Sequence, residues 1–282
     1  MSKYHSSKEV LEVIGKVQFL TNLNLATYLK PDTPVKKDTG ALDWLNILKS
    51  YSNSPTQRLR RLQKHGLIRE IPNTNDYIFK TQKYRFYGLT DNGFKAIEQE
   101  RKYLERRSVD LVQHEHGKID IALAFLWNFP EFEIDIRYPG SKDSLDGYKP
   151  DMIVTMTHRE TGKAYDFIVE FERSKRQGDT IKNKIEKQKK LKDLRKYGLS
   201  SKTQFLYITA ITEWDTFWRP IEFDRPEVRR VMRMSDKYLK GLLSRVSDLP
   251  PHQFRFKTLH SVFTDFNKWH DTQGDIKPLI NQ

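Results

Sequence analysis

Residues 149–172 read KPDMIVTMTHRETGKAYDFIVEFE. The apolar run Met152 to Met156 and the stretch Asp166 to Glu172 are dense in β-branched and aromatic residues, and the polar segment Arg159 to Lys163, with Gly162 in it, separates them. That pattern predicts two neighbouring β-strands joined by a short loop. Side chains alternate along a strand, so Asp166, Ile168, Glu170 and Glu172 share one face and Phe167, Val169 and Phe171 the other. Asp151 opens the first strand, and antiparallel pairing brings it beside the exit end of the second. Asp151, Glu170 and Glu172 are therefore expected to converge. Clustered acids repel one another, and burying them costs several kcal/mol unless a cation or hydrogen-bond donors compensate. Hard oxygen ligands of this kind suit Mg²⁺ or Mn²⁺, which can activate a water and stabilise charge on a phosphodiester. The same spacing also fits acids that simply face solvent at strand ends.

The chain has 282 residues, enough for two domains with separate cores. It contains no cysteine, which excludes disulfides, thiolate metal sites and a cysteine nucleophile. No apolar run reaches the length of a membrane span, and the opening Met1-Ser-Lys-Tyr-His lacks a signal-peptide core. A soluble cytoplasmic protein is the expectation. The net charge of +13 points to a polyanionic partner.

In the first hundred residues, Ser7 to Phe19 has a helical apolar pattern, with Ser6 or Ser7 as its cap. A second helix is expected over Asn24 to Leu29, a loop over Lys30 to Gly40 and a short helix over Leu42 to Leu48. Ser54 can cap a further helix with Pro55 at its first position, Leu59 and Leu62 facing a core, and Gly66 ending it. Arg58, Arg60, Arg61 and Lys64 then lie on the exposed sides. A strand through Leu67 to Ile71 and a returning strand near Tyr84 to Tyr87 follow, and the next helix is capped by Thr90 or Asp91. This order resembles the winged-helix DNA-binding domains. The resemblance implies a helix in the major groove, with Arg58 and Arg61 at bases or phosphates and Lys80 or Lys83 in the wing near the backbone. A winged helix that binds protein would present the same basic face to solvent.

Glu98 to Arg107 is charged and free of Gly and Pro, and reads as a rigid helical link to the second domain. The later part of Leu111 to Trp127 reads as a helix. In His114-Glu115-His116, Glu115 either joins the hairpin acids or belongs to a polar helix start. Phe132 to Tyr138 reads as a strand and Pro139 to Tyr148 as a loop. A helix from Asp179 or Thr180 carries Ile181, Ile185, Leu191, Leu194 and Tyr197 along one stripe, rimmed by Lys182, Lys184, Lys189 and other cations. A central strand over Gln204 to Thr209, a helix over Glu227 to Val246 and an aromatic segment over Phe254 to Trp269 complete the chain.

The succession of helix, strand, Pro-Asp, strand with Glu-x-Glu, basic helix and strand is similar to the restriction-endonuclease-like PD-(D/E)xK nucleases. With the winged helix in front, the chain resembles the plasmid replication-relaxation family, which includes restriction-like mobilisation relaxases. The resemblance implies an α+β protein: a winged helix-turn-helix domain over 1–103 and an α/β nuclease domain over 104–282. It implies Asp151, Glu170 and Glu115 as ligands or supports for Mg²⁺ or Mn²⁺. It also implies nicking or cleavage of DNA at a plasmid or mobile-element origin of transfer or replication. The family pattern has Lys two residues after the Glu, where this chain has Glu172, so Lys184 or Lys182 would have to reach in from the following helix. Lys182 and Lys189 would hold the DNA strand. Double-stranded and single-stranded DNA, a second copy of the chain and relaxosome proteins are the partners this implies, with no membrane. The other reading is a DNA-binding initiator, relaxase accessory protein or regulator that keeps the nuclease fold without activity.

Overall fold

The computed structural model describes residues 6–21, 25, 57–71, 86–98, 109–139, 145–172, 178–189, 191, 194–210 and 226–280. The chain is α+β and divides into two compact units, Met1–Leu123 and Ala124–Gln282. The helices expected over Asn24 to Leu29 and Leu42 to Leu48 and the boundary expected at 103/104 fall outside the described residues, apart from Leu25.

In the first unit, helix α1 (Ser7–Val17) starts in a capping box. The Ser6 hydroxyl accepts from the Glu9 N–H, and the Glu9 carboxylate accepts from the Ser6 N–H. Val10, Leu11, Val13, Ile14 and Val17 form its buried face. The helix ends two residues sooner than its apolar pattern predicts, because Gln18 takes a positive φ of 69°. Phe19 then opens strand β1 (Phe19–Thr21), which the sequence does not announce. Helix α2 covers 57–64 with Leu59 and Leu62 buried. Strands β2 (Ile68–Ile71) and β3 (Phe86–Leu89) follow, β3 lying about two residues beyond its expected place, and then helix α3 (Asp91–Ala96). The sheet order is β1-β3-β2, antiparallel throughout.

The end of α2 and the start of α3 are stitched together. Gly66, at φ +68°, closes α2: its N–H donates to Gln63 O, and the Leu67 N–H reaches back to Leu62 O. That pair of bonds is a Schellman cap, whose left-handed position favours glycine. The Thr90 Oγ1 donates to Gly66 O at 2.5 Å and accepts from the Gly93 N–H at 3.2 Å, so one hydroxyl holds both helix ends. Gly93 itself must lack a side chain, since a Cβ there would stand 2.1 Å from Leu67 O. Thr90→Val, which keeps the shape and removes both bonds, is expected to lower the stability of this unit by about 1–2 kcal/mol in urea titrations.

Helix α4 (Val109–Asn128) leads into the second unit. There β4 (Phe132–Arg137), β5 (Met152–His158), β6 (Ala164–Glu172), β7 (Gln204–Thr209), β8 (Phe254–Thr258), β9 (Lys268–His270) and β10 (Ile276–Pro278) form one sheet, ordered β10-β9-β8-β7-β6-β5-β4. Strands β6, β7 and β8 run parallel, and the flanking pairs are antiparallel. The parallel crossovers contain α5 (Gly178–Lys189), a 3₁₀ turn at Leu194–Tyr197, and α6 (Pro226–Leu243). The single long helix expected from Asp179 through Tyr197 is thus two shorter pieces, consistent with a lysine run that has few acids at i+4 to offset its repulsion.

Both faces of the sheet are covered, so β5 through β8 are buried along most of their length. One face packs Ile153, Ile168, Phe205 and Tyr207 against Ile185, Leu239 and Leu242. On the other, Phe125 meets Phe167 at 5.7 Å and Phe266 at 4.9 Å between ring centroids. The aromatic segment after Phe254 is β8, the short helix α7 (Leu259–Thr264) and β9, with β10 beyond it. Among the described residues, no helix is long and apolar enough to cross a membrane.

Candidate functional site

The register of the β5–β6 hairpin places the acids. Met152 pairs with Val169, so Asp151 lies opposite Glu170, and Glu172 follows on the same face. Glu170 is fully buried, Glu172 nearly so, and Asp151 is partly exposed at the rim. The Asp151 Oδ2 accepts the Phe171 N–H at 2.9 Å, tying the start of β5 to the end of β6.

Lys184 projects from α5 into the space between the three carboxylates. Its Nζ contacts Glu170 Oε2, lies 2.5 Å from Glu172 Oε1 and 3.9 Å from Asp151 Oδ2. Helix α5 can deliver it because Ile185, the next residue, is locked into the sheet-facing cluster. The other Glu170 oxygen accepts from the Tyr148 hydroxyl. Gln188, one turn beyond Lys184, donates to the Tyr148 oxygen at 2.5 Å and accepts from the Tyr207 hydroxyl at 2.7 Å. Tyr207 is the β7 partner of Glu170 in register. A buried chain Tyr207, Gln188, Tyr148, Glu170 therefore fixes the carboxyl from behind.

Burial, and then the Asp151 charge, push the Glu170 carboxyl up to about 8, despite the opposing pull of Lys184 and Tyr148. Burial works against the Lys184 ammonium, but Glu170, Asp151 and Glu172 outweigh it and hold its proton more tightly than usual. Burial chiefly, and Glu170 next, raise Tyr148 and Tyr207 well above the usual phenol range. Tyr238, on α6, is raised chiefly by burial and next by the Glu172 charge.

Asp151, Glu170, Glu172 and Lys184 thus meet in one place. Glu115 lies on α4 and Lys182 and Lys189 on α5, but their side chains are outside the described residues, as are Lys80 and Lys83 altogether. Arg60, Arg61 and Lys64 are exposed on α2, and Arg58 is half-buried there. Gln188 and Tyr207 escape a reading of the sequence. Gln188 could have been found from its i+4 spacing to Lys184, whereas Tyr207 becomes visible only once the parallel register is known.

Among the described residues, no three His, Asp or Glu side chains form a closed metal-binding group as they stand, and Lys184 occupies the space where these carboxylates face one another. In kind, the donors suit a hard divalent cation: they are all carboxylate oxygens, and burial with the Asp151 charge favours a proton on Glu170 that added positive charge would displace. No family model matches the chain, and neither curated proteins nor solved structures give a significant match.

Proposed function

We propose that this chain is a sequence-directed DNA-binding protein whose second unit is a metal-dependent DNA nuclease of the PD-(D/E)xK kind, acting in the cytoplasm at a plasmid or mobile-element origin. The observation that carries the reading is Lys184 Nζ among Asp151, Glu170 and Glu172. The cation that the family pattern has two residues after the Glu comes here from α5, and Glu172 stands in its strand position.

Asp151 and Glu170, with Glu172 beside them, would hold Mg²⁺ or Mn²⁺, which when bound supplies Lewis acidity and a more acidic water. Lys184 is within reach of a phosphodiester seated over the acids and would neutralise charge developing on its oxygens. With its carboxyl raised to about 8, Glu170 carries its proton at neutral pH and would release it on holding the cation. Tyr148 and Gln188 keep that carboxyl in one orientation. In the first unit, a basic helix followed by a two-stranded β2–β3 hairpin, with β1 alongside, has the parts of a winged helix. Arg58, Arg60, Arg61 and Lys64 would give it register on the duplex.

One observation favours a second reading, a DNA-binding initiator or regulator with an inactive nuclease fold. Lys184 already pairs with Glu170 and Glu172, so part of the acids' charge is balanced without a divalent cation. The deciding experiment is cleavage of supercoiled plasmid bearing the protein's own neighbouring sequence, with Mg²⁺ or Mn²⁺. The wild type is expected to nick it, and Asp151→Ala and Glu170→Ala are expected to leave it intact. Binding of that DNA without nicking in either metal would replace the nuclease reading with the second one.

A further inference from the structure

The opposite end of β6 borders a second site. Where the carboxylates occupy 170–172, a cavity of about 370 Å³ runs beside Lys163 to Phe167. Roughly 10–20 Å of strand separates the two. Three cations line the cavity: Lys163 and Lys202, both exposed, and Arg255 on β8, only 8% exposed.

Arg255 is held from one side. Its Nη1 donates to Pro251 O and, at 3.0 Å, to Phe254 O, while its Nε is buried with no hydrogen-bond partner. The side-chain amide oxygen of Gln204, Oε1, also on the cavity wall, is buried and equally unpaired. Gln204 and Arg255 project from the same face of neighbouring strands, since Leu206 pairs with Arg255 and lies two residues after Gln204. A buried donor and a buried acceptor left without partners in a cavity are costly unless a ligand meets them. The one acid on the wall, Asp166, is already engaged: its oxygens accept from Thr155 Oγ1 at 2.9 Å and the Ser200 N–H at 2.8 Å. The cavity is therefore positive as a ligand would meet it.

We propose that this cavity binds a phosphomonoester carried on a small organic body. The phosphate sits against Arg255, Lys202 and Lys163, and the body lies along Tyr165 and Leu279 with an N–H or O–H donated to Gln204. Three cations match the nearly doubly charged phosphomonoester better than a single carboxylate. The volume, room for about a dozen waters, is too large for inorganic phosphate alone. A free mononucleotide and the 5′-phosphate end of a DNA strand share this chemistry. The inference does not depend on the nuclease reading.

The test is calorimetric titration of the full chain, stripped of divalent cations and at fixed ionic strength. The titrants are deoxyadenosine 5′-monophosphate, deoxyadenosine, and short single-stranded oligonucleotides with and without a 5′-phosphate. Saturable binding of the monophosphate is expected, with deoxyadenosine at least about tenfold weaker. Lys163→Glu and Lys202→Glu, at exposed positions that leave the core intact, are expected to weaken it about tenfold or more, whereas Lys240→Glu, an equal charge change on α6, is not. A preference for the 5′-phosphorylated oligonucleotide over its unphosphorylated twin, lost in Lys202→Glu, would identify a DNA end as the source. Binding of the mononucleotide with no such preference would identify a free metabolite. The proposal is overturned if the monophosphate fails to saturate by about 10 mM, or if Lys202→Glu behaves like Lys240→Glu.

Discussion

In the absence of divalent cations, Lys184→Ala is expected to destabilise the chain by about 3–5 kcal/mol, and Mg²⁺ or Mn²⁺ is expected to restore most of the loss. The size follows from what the alanine leaves behind. Glu170 and Glu172 are buried, Asp151 is close by, and Lys184 is the cation that touches all three. Removing one partner of a buried ion pair costs more than the pair contributes, because the remaining charges keep their desolvation penalty. The acids can escape by protonating more than one carboxyl, by taking up water, or by accepting another cation. Thermal melts of wild type and variant in chelator, and again in millimolar Mn²⁺, separate these. A drop of about 6–20 °C in chelator is expected for a domain of this size. A variant that melts like the wild type in chelator would mean that the carboxyls are neutral or hydrated without the lysine. A drop that Mn²⁺ does not reverse would show that the acids do not accept a divalent cation, and would favour the inactive-fold reading.

Cation-free wild type is expected to lose stability as the pH rises from about 4.5 to about 8, and Glu170→Gln is expected to flatten that decline. The folded carboxyl sits near 8 against an ordinary value of 4.5. Between those values the folded chain holds a proton that the unfolded chain has released. The contribution is therefore complete below 4.5 and gone above 8, with a slope of at most about 1.4 kcal/mol per pH unit. Glutamine keeps the shape and cannot titrate. Binding of Mn²⁺ runs the other way: the cation favours the ionised carboxyl, expels its proton, and should bind up to about tenfold more tightly for each pH unit gained below 8. Urea titrations from pH 4.5 to 8 in chelator measure the first effect, and Mn²⁺ titrations across the same range the second. Equal slopes for wild type and Glu170→Gln would remove Glu170 as the titrating group.

The β5–β6 hairpin is legible in the sequence because period-two patterning and a glycine-bearing turn agree over 24 residues from Lys149 to Glu172. The convergence of Asp151 with Glu170 follows from the same alternation. Lys184 is a different matter. Nothing local says which of several lysines on α5 points inward, because the docking of Ile185 decides it and docking is tertiary. Strand β1 hides behind Gln18, whose positive φ ends a helix that the apolar pattern would have continued. Strands β9 and β10 are three residues each, too short to show a period, and exist because β8 offers them an edge.

That edge has a consequence for how the protein behaves when it is stressed. The two outer strands of the seven-stranded sheet resist strand addition in different ways. Strand β4 turns Glu133, Asp135 and Arg137 outward, and β10 is short and ends in Pro278, which has no N–H to offer. Between β8 and β9, however, a single registered pair, Phe256 with His270, joins the C-terminal ribbon to the rest. If that seam opens, the exposed edge is Phe254 to Thr258, buried along its whole length in the native fold. An uncovered strand of this kind, with Phe254 and Phe256 on one face and a row of unpaired backbone groups, can pair with another chain, so the ribbon acts as a guard on the sheet, and self-association begins when it peels away.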